Sequence, residues 1–226
     1  MNLTRLLQSQ GFGTRRACRG LIAAGRVAVS GALIVDSESD VNTDGLSFSV
    51  DGDVWQYRSK VYVMLNKPAG YECSRQPKHH PGVLSLLPLP LVERGVQPVG
   101  RLDEDTTGLL LLTDDGDFIH ALSSGKKKVP KVYRVTTKHL ITDEQIAALL
   151  SGVLLNDESA PIAAAAAQRL DERCLRLTVT GGKYHQVKRM VAASGNRVEA
   201  LHRESVGRYD LPVELAPGQW RWLDEP

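Results

Sequence analysis

No acidic residue occurs before Asp36, although Arg5, Arg15, Arg16, Arg19 and Arg26 all fall in that stretch. The formal net charge is only +2 over 226 residues. That average hides the asymmetry, which points to an anion-binding N-terminal surface rather than a uniformly basic protein. Cysteine is scarce. Cys18, Cys73 and Cys174 form no C-x-x-C pair and have no histidine pattern suited to zinc, which excludes a disulfide framework and a structural zinc site and leaves free, mostly buried thiols. No apolar run approaches the roughly 18 residues of a membrane span. MNLTRLLQSQGFGTRR lacks the apolar stretch and cleavage site of a signal peptide, so a cytoplasmic protein is expected. Internal repeats are absent too, and Ala163 to Ala167 is the one biased run.

What is present is an ordinary globular composition, 42% hydrophobic, with enough chain for one sizeable core and a smaller module. Thr14 is placed to cap a short helix whose apolar positions, Ala17, Cys18, Leu21 and Ile22, recur at helical spacing up to Gly25. Its arginines cluster on the opposite face. RVAVSGALIV then alternates through Val27 and Val29 into a Ser30-Gly31 turn, a hairpin pattern. From Asp36 to Asp53 the sign reverses, with six acidic residues and no lysine or arginine.

Val61 to Leu65 predicts an apolar strand ended by Asn66-Lys67-Pro68, and a second domain begins near it. Thr142 and Gln145 have capping-box spacing ahead of Ile146, Leu149 and Leu150. Leu175, Leu177 and Val179 alternate as a half-buried strand. Gly181-Gly182 leads into a helix reaching about Ala193, with Gly195 as its stop. Strands and helices interleave irregularly, which predicts α+β with a mixed, mostly antiparallel sheet rather than a doubly wound fold. The domains are placed at 1–58 and 59–226.

The segment PVGRLDEDTTGLLLLTDDGD, residues 98–117, sets Arg101, Asp103, Glu104 and Asp105 directly before four leucines. Leu109 to Leu112 look buried on both faces, and charge at the mouth of such a strand needs a partner or a task. Asp114, Asp115 and Gly116 are ordinary turn residues. Thr106-Thr107-Gly108 supplies short residues that let a loop fold tightly against a ligand.

This segment resembles the signature of the RsuA-type pseudouridine synthases, which isomerise uridine in bacterial ribosomal RNA. The resemblance extends, in order, to MLNKPAGYECS (64–74), KVYRV (131–135), GGKYHQVKRMVAASGN (181–196) and LHRESVG (201–207). The first fifth of the chain is similar to the S4-type RNA-binding domain, a small α/β module. The resemblance implies that Asp103 is the catalytic carboxylate, with Glu104 and Asp105 as neighbours rather than partners. Lys188 takes the basic position that pairs with the carboxylate, and adjacent Arg189 is the competing assignment. Tyr133 corresponds to the tyrosine that stacks on the target base, and Arg101 to an arginine that holds the flipped nucleotide or fills its vacated space. Arg15, Arg16, Arg19, Arg26, Lys131 and Arg189 are candidate RNA contacts. Lys126 to Lys128 form either an exposed loop or a phosphate contact, and His79 and His80 are expected on a surface loop or facing RNA.

The implied reaction breaks the N1 to ribose bond of uridine, turns the base and rejoins it through C5, so neither a cofactor nor a metal is called for. CSRQPKHHPGVLSLLP, together with the absence of a basic extension after PGQWRWL, resembles the branch acting on 16S rRNA. The expected partner is 16S rRNA or a small-subunit assembly particle, met by a monomer. Three alternatives stand beside this: an enzyme acting on 23S rRNA, a non-catalytic RNA-binding assembly factor, and an aspartate-nucleophile hydrolase. The last would want a metal or a second catalytic acid. If the helical arginines bind phosphate, replacing Arg15, Arg16 and Arg19 together weakens RNA binding and lowers the slope of log K against log salt by roughly 2 to 3. An unchanged slope would leave those arginines as solubilising groups only.

Overall fold

The computed structural model describes residues 1–223. The chain divides into two compact units, Met1–Val61 with Leu87–Gln97, and Tyr62–Leu86 with the chain from Pro98 onward. The sequence places a single boundary at 58 and 59, whereas the chain passes between its units three times.

The first unit opens with α1 (Leu3–Ser9) and α2 (Arg15–Ala23), capped by Asn2 and by Thr14, whose hydroxyl accepts from the Ala17 amide. Both helices bury one stripe, Leu3, Leu6, Leu7, Cys18 and Ile22, against Val27, Phe48 and Val50 of a sheet. That sheet runs in the order β2 (Ala32–Leu33), β1 (Val27–Val29), β3 (Ser47–Val50) and β4 (Asp53–Gln56). The hairpin between β1 and β2 turns at Ser30 and Gly31, with φ of 48° and 84°, the left-handed pair whose twist suits a two-residue turn. A short helix, α3 (Leu89–Glu93), belongs to this unit. It is tied there by polar contacts: Arg94 donates to the Gln10 side-chain oxygen at 3.0 Å and to the Ser59 carbonyl at 2.8 Å. The same Gln10 oxygen accepts from the Arg58 amide at 3.1 Å.

A two-residue strand, β6 (Gln97–Pro98), marks the return to the second unit, whose first strand is β5 (Tyr62–Lys67). The remaining strands are β7 (Thr107–Thr113), β8 (Lys131–Thr137), β9 (Ala166–Asp171), β10 (Cys174–Val179), β11 (Val198–Val206), β12 (Tyr209–Asp210) and β13 (Trp220–Trp222). They build one sheet in the order β13-β5-β7-β11-β8-β10-β9, with β12 beside β11. Adjacent strands are antiparallel except β7 and β11, which run parallel. Three helices flank the sheet: α4 (Gly116–Ser123), α5 (Asp143–Ser151) and α6 (Gln186–Ala193). The α5 terminus has the capping box expected from Thr142 and Gln145. Asp115, expected only as a turn residue, caps α4 and accepts the Tyr62 hydroxyl at 2.7 Å. Among the described residues no helix is long and apolar enough to cross a membrane.

The centre of the sheet positions everything else. Leu109 to Leu112 are at most 1% exposed, so β7 is covered on both faces, as its unbroken leucines require. Where β7 begins, Gly108 lies against β11: a Cβ there would sit 2.3 Å from the Arg203 carbonyl oxygen and 2.7 Å from its nitrogen. Its φ of +102° is also a conformation that only glycine adopts without strain. Gly108→Ala is expected to lower the denaturation midpoint, because the backbone conformation alone costs about 1–3 kcal/mol and the clash adds to it. An unchanged midpoint would contradict this close approach.

Candidate active site

The loop from Gly100 to Thr106, between β6 and β7, carries Asp103 into a cleft of about 840 Å³, a volume suited to a small ligand or one nucleotide. The loop is gripped from below by the segment that follows β5. Lys67 is fully buried, and its ammonium donates to the carbonyls of Pro68, Glu104 and Thr106 at 3.0, 2.9 and 2.9 Å. Burial pushes this ammonium below its ordinary pKa, although the nearby thiol and carboxylates oppose the shift. The Glu104 carbonyl also accepts from the Gly70 amide at 3.0 Å, and the Leu102 amide reaches the Cys73 sulfur at 3.5 Å. A turn closes on Asp103 itself, whose carbonyl accepts from the Thr106 amide at 3.1 Å.

The Asp103 carboxylate meets two groups at the start of α6. Lys188 Nζ lies 3.2 Å from one oxygen, and His185 Nε2 lies 3.3 Å from the other. Lys188 also donates to Asp105 at 2.6 Å, so Asp105, expected to be a mere neighbour, shares the cation. Partial burial works against the Lys188 charge, but the bond to Asp105 and the field of Asp103 outweigh it and hold the ammonium above its ordinary pKa. Burial would raise the Asp105 carboxyl, yet the Lys188 bond prevails and lowers it. Arg189, the competing partner for Asp103, is committed elsewhere: it pairs with Asp157 and donates to the Tyr184 carbonyl at 3.2 Å. His185 precedes α6 in a left-handed conformation, φ 46°, and of the two adjacent cations it is Lys188 that reaches Asp103.

Tyr133 is buried on β8 and lines the same cleft, as do Arg101 and Lys131. Arg101 is exposed and makes no ion pair or hydrogen bond among the described residues, so its guanidinium is available to a ligand. Lys131 donates to the carbonyls of Val129 and Gly181 at 3.2 and 3.4 Å. Burial first, and then the charge of Arg203, depress its pKa. With Lys78, Lys183, Lys188 and Arg203 on the walls as well, the cleft carries far more positive charge than the chain average, which suits a polyanion.

The arginines of the first unit separate into two groups. Arg15 and Arg16 are exposed. Arg19 pairs with Glu38 at 2.7 Å, and Arg26 forms a two-pronged contact with Asp51 at 2.5 Å. The acidic segment that follows the basic one thus supplies carboxylates that sequence distance conceals, and Arg26 in particular is engaged within its own unit. Lys126 to Lys128 form an exposed turn outside the cleft lining, whereas His79 and His80 line it. The loop bearing these histidines is shaped by Glu72, which accepts the amides of Lys78, His79 and His80 at 3.1, 2.9 and 3.0 Å. Sequence reasoning did not single out His185, Lys67, Glu72 or Arg203. His185 stood in the quoted HQVK segment, and a lysine before proline at the end of an apolar strand was the available signal for Lys67.

Residues 61–193 match the family model described as RNA pseudouridylate synthase. The chain is 40% identical to "Ribosomal small subunit pseudouridine synthase A" of Yersinia pestis, over 99% of this chain and 94% of that relative. It is 38% identical to the protein of the same name from Escherichia coli (strain K12), over 100% of this chain and 97% of the relative. A solved structure titled "Crystal structure of pseudouridylate synthase" superimposes with a TM-score of 0.69 and 32% identity, covering 99% of this chain and 96% of that one. If Lys67 anchors the loop, Lys67→Met strands carbonyls that cost about 1–3 kcal/mol each when buried unpaired. The expected result is a lower unfolding midpoint with faster hydrogen exchange at the Gly70 and Thr106 amides. Unchanged exchange at both would show that the loop does not depend on the lysine.

Proposed function

The chain belongs to the family of RNA pseudouridylate synthases and isomerises uridine to pseudouridine in ribosomal RNA; we propose that its target lies in 16S rRNA of the small subunit and that Asp103 is the reacting carboxylate. The observation that carries the site assignment is the position of Asp103, inside a cationic cleft and within 3.3 Å of both His185 and Lys188. The small-subunit target is supported by the names of the two relatives, each of which spans nearly the whole chain.

The chemistry asks for one ionised carboxylate at the sugar. Asp103 attacks C1′ or takes the proton from C2′, and by either route the N1–C1′ bond breaks with its electron pair leaving on N1. The base turns and C5 bonds to C1′, displacing the Asp103 carboxylate on the first route and, on the second, with the proton returned from Asp103 to C2′; the proton at C5 then departs and N1 is protonated. Substrate and product are isomers, so nothing is oxidised and no group leaves for another molecule. Lys188 Nζ, 3.2 Å from one carboxylate oxygen, holds Asp103 aimed into the cleft. Tyr133 offers its face to the everted uracil, replacing stacking worth about 1–3 kcal/mol per base. Arg101, free at the cleft, holds the nucleotide's backbone or fills its vacated place. The first unit acts as an S4-type RNA-binding module, in which exposed Arg15 and Arg16 carry the phosphate contacts and Arg19 and Arg26 contribute less because each has a carboxylate partner. The substrate is 16S rRNA or a small-subunit assembly particle, bound by a monomer in the cytoplasm.

Incubation with 16S rRNA carrying tritium at uridine C5 tests this, because isomerisation releases that label to water. The native chain is expected to release it. Asp103→Asn is expected to release none while binding the RNA with undiminished affinity. Release by that variant at the native rate would remove Asp103 from the reaction, and release from 23S but not 16S rRNA would move the target to the large subunit.

A further inference from the structure

Exposed cations at the cleft, such as Arg101, are solvated, but among the described residues one buried cation of its lining lacks a full set of partners. Lys67 has three carbonyls, Lys188 two carboxylates and Lys131 two carbonyls. Arg203 is only 2% exposed, yet its one hydrogen bond among the described residues runs from Nε to the Leu109 carbonyl, at 2.8 Å. Its Nη2 is buried without a partner. No carboxylate lies within ion-pair reach of it among the described residues: Glu204, the next residue along β11, is spent on Arg134 at 3.0 Å and Arg176 at 2.7 Å. A guanidinium is permanently charged, and burying one without compensation is strongly unfavourable. Such an arrangement is explained when a ligand delivers the missing negative charge.

The register of the sheet says which part of a nucleotide that is. Arg203 on β11 is the direct cross-strand partner of Tyr133 on β8, so the two side chains share one face as near neighbours, and both line the cleft. Tyr133 is the surface on which the base stacks, and both residues are buried, at 8% and 2% exposure. A phosphodiester of a continuous RNA strand stays at the mouth of a cleft that the nucleotide enters base first. The group that reaches Arg203 is therefore the base.

We propose that Arg203 is a further catalytic residue, which takes up the negative charge left on uracil when the N1–C1′ bond breaks. This rests on the isomerisation proposed above. The electron pair that leaves on N1 is delocalised onto the two carbonyl oxygens of the released ring, and a fixed guanidinium beside them stabilises the charge most when it is fully developed, before C5 bonds to C1′ and the ring becomes neutral again. The chain's own contribution is a donor held ready by β7, through the Leu109 carbonyl, and left unpaired until the base arrives.

The test compares two substrates in one enzyme preparation. Fluorine at C5 withdraws electron density, so 5-fluorouracil bears the leaving charge with less help than uracil does. Single-turnover rates are measured as the disappearance of the target nucleoside from digested RNA carrying either uridine or 5-fluorouridine at the target. For Arg203→Met, removal of one such donor is expected to slow the uridine substrate about 100-fold and the 5-fluorouridine substrate about 10-fold or less. Arg203→Lys, which retains a charge, is expected to fall between this variant and the native protein on both. The ratio of the two rates is independent of how much of the variant is folded. An unchanged ratio, including one accompanied by weaker RNA binding, would overturn the proposal and leave Arg203 a structural or phosphate-binding residue. Failure of the native protein to isomerise uridine would instead overturn the function on which the proposal rests.

Discussion

Asp103 faces a cation across its cleft, and the contact to Lys188, 3.2 Å long, is the interaction around which the site is arranged. Neither partner is held by its own neighbourhood in sequence. Asp103 sits on a loop with no helical or strand hydrogen bonds of its own, and Lys188 is on a helix that begins more than eighty residues later. The sheet brings them together: β7 starts where the loop ends, β11 runs parallel beside it, and α6 leads into β11. The second contact, from His185, comes from the residue that opens α6 in a strained backbone conformation, and such strain is kept where the surrounding structure gains from it.

A second layer of support explains why a loop can aim a side chain. Lys67 fills a buried position with an ammonium whose donors all point at main-chain carbonyls, two of them in the Asp103 loop. This is an expensive way to hold a turn, since burial depresses the lysine's affinity for its proton, but three charge-assisted bonds from one rigid strand end leave the loop little freedom. Gly108 completes the arrangement by letting the β7 backbone approach Arg203 more closely than any side chain would allow. The geometry of the proposed site is thus built from main-chain contacts, with the Asp103 carboxylate at the end of a well-anchored turn.

Elements whose cause is local were legible in the sequence. The cap at Thr14, the capping box at Thr142 and Gln145, the Ser30-Gly31 turn and the doubly buried leucines of β7 all follow from short-range rules, and the structure has them where the pattern put them. Asp103, Tyr133 and Lys188 were placed by a family signature, which periodicity alone would not have supplied. What escaped were the contacts that depend on distant pairing. Arg94 holds α3 to the first unit through Gln10, which no local pattern announces. Glu38 and Asp51 neutralise Arg19 and Arg26 across 19 and 25 residues, so an arginine cluster that looked uncompensated is half paired. Asp105 proved to share Lys188, because a turn folds it back beside Asp103. Arg203 stood within the LHRESVG segment with no local signal, because its burial and its missing partner arise only from the fold.

In the proposed reaction Lys188 acts through Asp103 and not through RNA phosphate. Single-turnover isomerisation and RNA affinity, measured together for Lys188→Met and Lys188→Arg, separate the two. Loss of a preorganised charge beside the reacting group predicts a rate about 100-fold lower for Lys188→Met, with RNA affinity little changed and most of the rate restored in Lys188→Arg. A Lys188→Met variant that binds RNA poorly yet reacts at the native rate once saturated would contradict the account.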